Sequence, residues 1–228
     1  MKNNIDLIAY YSTKKNGYYA LSREELLPYL PKNLDQVLDI GCSEGNFGKL
    51  LKEKFGCKVY GVEPNENAAN IAKTKLDYIF NNKFDTSLNF EGVLFDCIFF
   101  NDVLEHLEDP FKALQMAKQL LTTDGHIVAS IPNLRHFNVI WDLIVKKDFK
   151  YVADGILDNT HLRFFTKKSI ERLVDETGLK VEKIEGIQPQ FDRKFKIINF
   201  LSFHNLEDMK YIQFVVVAKN NINSVIQI

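Results

Sequence analysis

The chain has 228 residues, 46% hydrophobic and 26% charged, a length and balance that allow a full core and exclude disordered and fibrous classes. Its formal net charge of −1 lacks the basic excess that draws a protein to nucleic acid or anionic membranes, so neither is expected as a partner. Cys42, Cys57 and Cys97 form no CxxC pair for zinc or redox chemistry, and without an export signal or an apolar run near the ~20 residues of a spanning helix they read as buried thiols of a cytoplasmic protein.

No repeat, low-complexity tract or Pro/Gly-rich linker divides the sequence, so one domain over residues 1–228 is expected, with residues 1–20 as an N-terminal arm or lid rich in tyrosine. Ser22 and Glu25 make a capping-box pattern and predict a short helix over SREELLPYL. QVLDIG is an apolar run broken by glycine, and NFGKLLKEKFG sets Phe47, Leu50, Leu51 and Phe55 at helical spacing before Gly56. Strand, glycine turn and helix follow one another. CKVYGVEP is a second strand, and NENAANIAKTKL a second helix opened by an asparagine cap at Asn65. FDCIFF and GHIVASIP are further strands, with an amphipathic helix, PFKALQMAKQLL, between them. Continuous apolar strands alternating with helices imply a doubly wound α/β fold, a parallel sheet covered on both faces.

The last third differs. Residues 133–166 carry aromatics and histidines without periodicity and read as an insertion. KKSIERLVDETG is a helix ended by Gly178. LKVEKIEGI and YIQFVVVAKN are two late strands, expected as an antiparallel pair at one sheet edge, and residues 188–208 between them form a second excursion. Both insertions are expected over an acceptor site.

In an open α/β sheet, ligands sit beyond the carboxyl ends of the strands. Gly41 and Gly45 fall on the first such turn, where glycine permits positive φ and close approach of a ligand to the backbone. The turn feeds a helix N-terminus, which favours anionic groups. Glu63, after the second strand, stands where a carboxylate accepts both hydrogen bonds of a ribose diol, so a nucleoside cofactor is expected. The dinucleotide fingerprint G-x-G-x-x-G is not met, because Ser43 and Asn46 replace its second and third glycines. This weakens an NAD-dependent oxidoreductase reading.

The stretch VLDIGCSEGNFG resembles motif I of the class I S-adenosylmethionine-dependent methyltransferases, with Asp39 as its acid and Ser43 in place of the middle glycine. VYGVEPN is similar to their second motif, FDCIFFNDVLEHLEDP to their fourth-strand segment and HIVASIPN to their fifth strand. DNTHLRFFTKKSIERLVDETGL resembles a segment of methyltransferases associated with bacterial polysaccharide and lipopolysaccharide biosynthesis. The resemblance implies a Rossmann-like seven-stranded sheet of order 3-2-1-4-5-7-6 with the seventh strand antiparallel. It implies S-adenosylmethionine, leaving as S-adenosylhomocysteine, held by Asp39, Gly41, Cys42, Gly45, Asn46, Glu63, Pro64, Phe84 and Asn101. It also implies no metal, because the sulfonium needs none to be reactive.

Methyl transfer requires alignment of an acceptor and removal of its proton, and histidine suits the second task. His161, His106 and His136 are the candidate bases, and each has a bland alternative in pinning a loop or packing in a core. Arg163 is a candidate for pairing with an acidic acceptor, against an ordinary salt bridge. Asp102, Glu105, Glu108 and Asp109 border a helix start, where acids suit the dipole without further role. The function expected is methylation of a small-molecule acceptor, with a sugar or nucleotide-linked sugar hydroxyl first, a quinol, phenol or amine as the alternative, and a noncatalytic cofactor-binding protein as the remaining rival.

Overall fold

In the computed structural model, residues 22–220 are described; the arm expected over residues 1–20 lies outside them. The apolar run after Asp35 forms β1 (Gln36–Ile40), four of whose five residues are buried. Gly45, in the left-handed region, launches α1 (Asn46–Phe55), and Gly56 ends it with φ 68° and an N–H bonded to the Lys52 carbonyl. β2 (Lys58–Val62) leads to α2 (Glu66–Ala72), where the Asn65 side chain accepts from the Ala68 N–H as a cap. β3 (Tyr78–Phe80), β4 (Phe95–Asn101), α3 (Pro110–Gln119) and β5 (Leu121–Pro132) continue the alternation. After a short α4 (Phe137–Trp141), a Thr166–Ser169 capping box opens α5 (Lys167–Glu176), followed by β6 (Leu179–Pro189), α6 (Arg193–Leu201) and β7 (Tyr211–Asn220).

The seven strands form one sheet of order β3-β2-β1-β4-β5-β7-β6. β1 to β5 pair in parallel, and β7 runs antiparallel between β5 and β6. This is the expected topology. Two apolar clusters cover the faces: one gathers Leu38, Ile98, Phe100, Leu114 and Ile127, the other Val37, Leu51, Val59, Phe99 and Val128. Fully burying each such side chain contributes roughly 1.5–3 kcal/mol, which explains why the central strands carry no alternation.

The segment after Ser22 departs from expectation. It is a 3-10 helix, Glu24–Tyr29, with Arg23 in the left-handed region and no side-chain cap. Pro28 lies inside it. With no N–H, Pro28 cannot bond to the Glu24 carbonyl as an α-helix requires.

Candidate active site

At the carboxyl ends of β1, β2 and β4 the chain encloses a crevice of about 510 Å³, within the range of small-molecule and cofactor sites. The turn after β1 forms its floor. Gly41 has φ +69°, and a Cβ there would lie 2.6 Å from Cγ2 of Val103, so backbone conformation and close packing both favour glycine at this turn. Ser43, at the position of the missing motif glycine, also takes positive φ (54°). A serine held there stores about 1–3 kcal/mol, offset by its N–H donating to Glu63 Oε2 at 2.9 Å. The other Glu63 oxygen accepts from the Asn65 N–H at 2.8 Å. One carboxylate thus fastens the first turn to the second. Each oxygen keeps a lone pair for a further donor. Burial pushes the Glu63 carboxyl up, against the lowering effect of the two N–H groups.

Asp39 lies at the end of β1 on the crevice wall. Burial first, then the neighbouring Glu63 charge, push its carboxyl up to about 8, with Arg23 acting in the opposite direction. Asn101, at the end of β4, lines the same crevice, and both polar atoms of its side chain are buried without a hydrogen-bond partner among the described residues. Two buried carboxyls and an orphaned amide facing a void are the signature of a site built for a polar ligand.

The opposite wall carries Arg23, Asp102 and His106. Arg23 Nη1 lies 2.6 Å from Asp102 Oδ2, its Nη2 donates to Ser130 Oγ at 2.6 Å, and Gln213 Nε2 donates to Asp102 Oδ1 at 2.6 Å. His106 Nδ1 lies 3.3 Å from the Thr160 carbonyl and 3.2 Å from its hydroxyl. That hydroxyl gives its one proton to Asp158 Oδ1 at 2.7 Å. Toward His106, therefore, both Thr160 oxygens accept. The contacts select the tautomer with hydrogen on Nδ1 and the lone pair on Nε2.

Not every candidate meets here. His161 packs behind His106, ring edge to face at 4.7 Å, with Nδ1 3.0 Å from the Ile156 carbonyl and Nε2 3.9 Å from Glu105 Oε1. His136 lies at a separate, smaller cleft beside Phe191 and Asp192, and burial pushes its pKa down. Arg163 donates to the carbonyls of Leu162 and Glu108 and is not on the crevice wall. Gly45 and Asn46 shape the turn behind the crevice, whereas Cys42, Pro64 and Phe84 line it. Arg23 and Thr160 carried no signal in the sequence, because their partners are 79 and 54 residues away. Asp102 was visible only as an acid near a helix start.

Glu105 is buried, and neither carboxylate oxygen makes a hydrogen bond among the described residues. Burial and then the nearby Asp102 push its pKa far above the ordinary carboxylate value. Glu105, His106 and His161 each bring one ligand atom within 4.8 Å of the others, a group of side chains with spacing for a cation.

Residues 11–184 match the methyltransferase domain family. The chain belongs to that family. Among curated relatives it is 25% identical over 160 residues to the ubiquinone biosynthesis O-methyltransferase of Vibrio cholerae and 26% identical to that of Vibrio parahaemolyticus, covering 67% of this chain in each case. The match spans 64% of the first relative and 66% of the second. A methyltransferase structure from Archaeoglobus fulgidus aligns with a TM-score of 0.64 at 21% identity, covering 94% of this chain and all of that one. A possible histamine N-methyltransferase from Thermotoga maritima aligns with a TM-score of 0.61 at 19% identity, over 94% and 92% of the two chains. The crevice suits a polar ligand: the carboxyls of Asp39 and Glu63 and the unpartnered Asn101 amide are donor and acceptor sites for an amino acid joined to a nucleoside.

Proposed function

We propose that this methyltransferase moves a methyl group from S-adenosylmethionine to the hydroxyl of a small phenol or quinol, with His106 taking the hydroxyl proton. The bound cofactor supplies a methyl carbon already activated by its sulfonium. The chain supplies the rest. Glu63, anchored on two backbone N–H groups, holds the ribose diol, and Asp39 receives the amino group. Asn101, Cys42, Pro64 and Phe84 complete the walls. Gly45 and Asn46 set the turn.

The observation that carries the base assignment is the fixed tautomer of His106 on the crevice wall. Thr160 is a positioning residue because it holds the imidazole, and Asp158 acts through it by accepting the Thr160 hydroxyl proton. His161 supports the ring from behind, and His136 and Arg163, away from the crevice, have no part in the transfer.

Two observations favour a phenolic acceptor. The curated relatives carry the name ubiquinone biosynthesis O-methyltransferase. The wall bearing His106 also presents Val103, Leu107 and Leu162, apolar surface suited to an aromatic ring. A sugar or nucleotide-linked sugar, the acceptor suggested by the resemblance of the HLRFFT segment, needs several buried polar partners instead.

The test is label transfer from methyl-labelled S-adenosylmethionine to catechols, quinols, nucleotide sugars and amines, each with and without a chelator. We expect label in the phenolic arms, indifferent to chelator, and a loss of about 10²–10⁴-fold in His106→Ala. S-adenosylhomocysteine should still raise the melting temperature of that variant, and NAD should not. Label only in the nucleotide-sugar arm restores the carbohydrate reading. Loss of activity with chelator assigns His106 to a cation at the Glu105–His161 group.

A further inference from the structure

No helix among the described residues is long and apolar enough to cross a membrane, yet one helix turns an apolar face to solvent. In α6 and the turn after it, Ile197 is 62% exposed, Phe200 71%, Leu201 69% and Phe203 89%. So much large apolar surface within seven residues is unusual on a protein that meets only water. The inner face of α6 is satisfied: Phe195 and Asn199 are buried, and the Phe195 ring packs 5.5 Å from Phe137 of α4. At about 100° per residue, Ile197, Phe200 and Leu201 fall opposite those two, with Lys194 and Lys196 on the two flanks and Arg193 at the start.

The charges around this face are arranged with one sign free. Among the described residues, neither flanking lysine pairs with a carboxylate. Lys194 Nζ sits 4.8 Å over the Trp141 ring and Lys196 Nζ 5.5 Å over Phe191. The acids nearby are engaged. Asp192 caps the helix through the Lys194 and Phe195 N–H groups, Glu207 bonds to Lys210 and Asn199, and Asp208 pairs with Arg135 at 2.7 Å. The segment joined to α6 through Phe137 repeats the pattern: Leu143, Ile144 and Val145 are exposed beside Lys146, Lys147 and Lys150, with Asp142 bound to Lys146 and Asp148 also in the segment.

Both segments leave the sheet at the edge where the crevice opens. Pro132, at the end of β5, pairs with Gln213 near the start of β7, and Ser130 pairs with Asn101 of the crevice.

We propose that α6, its following turn and the 142–150 segment form a docking surface for a membrane bearing anionic lipids. The apolar side chains enter the headgroup boundary and Arg193, Lys194 and Lys196 meet the phosphates, as flanking cations on an interfacial helix do. A net charge of −1 over the whole chain conceals this local basic surface. A second copy of the chain is the weaker occupant, because it would bring the same cations face to face.

The test is flotation of the full chain with vesicles of phosphatidylcholine alone and of phosphatidylcholine mixed with phosphatidylglycerol, at low and high salt. Neither cofactor nor acceptor is present, so the outcome is independent of the reaction proposed above. We expect binding to the mixed vesicles, weakened by salt. The double variant Phe200→Ser, Phe203→Ser should bind about tenfold or more weakly. The variant Lys194→Glu, Lys196→Glu should lose the preference for phosphatidylglycerol. These residues are exposed, so the folded state persists, which an unchanged cooperative thermal melt by circular dichroism verifies. Absence of binding to either vesicle overturns the proposal. So does a dimer by light scattering that Phe200→Ser, Phe203→Ser dissolves.

Discussion

The Asp39 carboxyl predicts a proton release that accompanies cofactor binding. With burial and Glu63 holding its pKa near 8 in the ligand-free protein, about nine-tenths of Asp39 is protonated at pH 7 and about half at pH 8. An ammonium group placed beside it favours the carboxylate. Binding of S-adenosylhomocysteine should therefore release about 0.9 proton at pH 7 and about 0.5 at pH 8. Titration calorimetry in buffers of different ionisation enthalpy reads this number directly. Asp39→Asn should bind more weakly and release almost none. The same shift has a stability consequence of defined sign. Asp39 has a folded pKa above its ordinary 3.8, so stability present in acid is lost progressively as pH rises from about 4 to about 8. Asp39→Asn should accordingly gain melting temperature relative to the parent at pH 8 and little at pH 4. No proton release from the parent protein, or equal release from Asp39→Asn, refutes the assignment of Asp39 to the amino group.

Three further substitutions probe the rest of the site. Glu63→Ala removes the acceptors of two backbone N–H groups as well as the proposed ribose contact, and should weaken S-adenosylhomocysteine binding by about 100-fold, two hydrogen bonds to a charged group at roughly 1.5 kcal/mol each, read by thermal shift. Gly41→Ala places a methyl 2.6 Å from Val103 in a left-handed backbone and should cost about 1–3 kcal/mol of stability, measured by denaturant unfolding; adding Val103→Ala should recover part of it. Thr160→Val removes the hydroxyl that links His106 Nδ1 to Asp158 and leaves the Thr160 carbonyl as the ring's acceptor, and should lower kcat about 10-fold with KM for S-adenosylmethionine unchanged, while Thr160→Ser retains activity; a flat response across both variants rejects the positioning role.

The strand, glycine turn and helix at Val37–Phe55, the Asn65 cap and the Pro110 helix start were legible because their causes are local: apolar runs, special backbone geometry and capping side chains act over a few residues. Strand order came from the resemblance, and the antiparallel β7 from it together with the two late strands expected as an antiparallel pair at one sheet edge. Asp39, Gly41 and Glu63 were legible for the same local reason, each standing where a strand ends. The opposite wall was not. Arg23 meets Asp102 79 residues away, and Thr160 meets His106 across 54, contacts that no spacing records. The three histidines were equal candidates in the sequence. The folded chain separates them, setting His106 on the crevice, His161 behind it and His136 at another cleft. Whether an apolar residue is core or surface is likewise decided by what packs against it. In the sequence residues 188–208 read only as an excursion, and the packing of α6 and its following turn shows that Phe195 faces inward while Phe200 and Phe203 face solvent. Local chemistry specifies which elements form, but distances between groups far apart in the chain arise from the packing of whole elements, and site geometry depends on those distances.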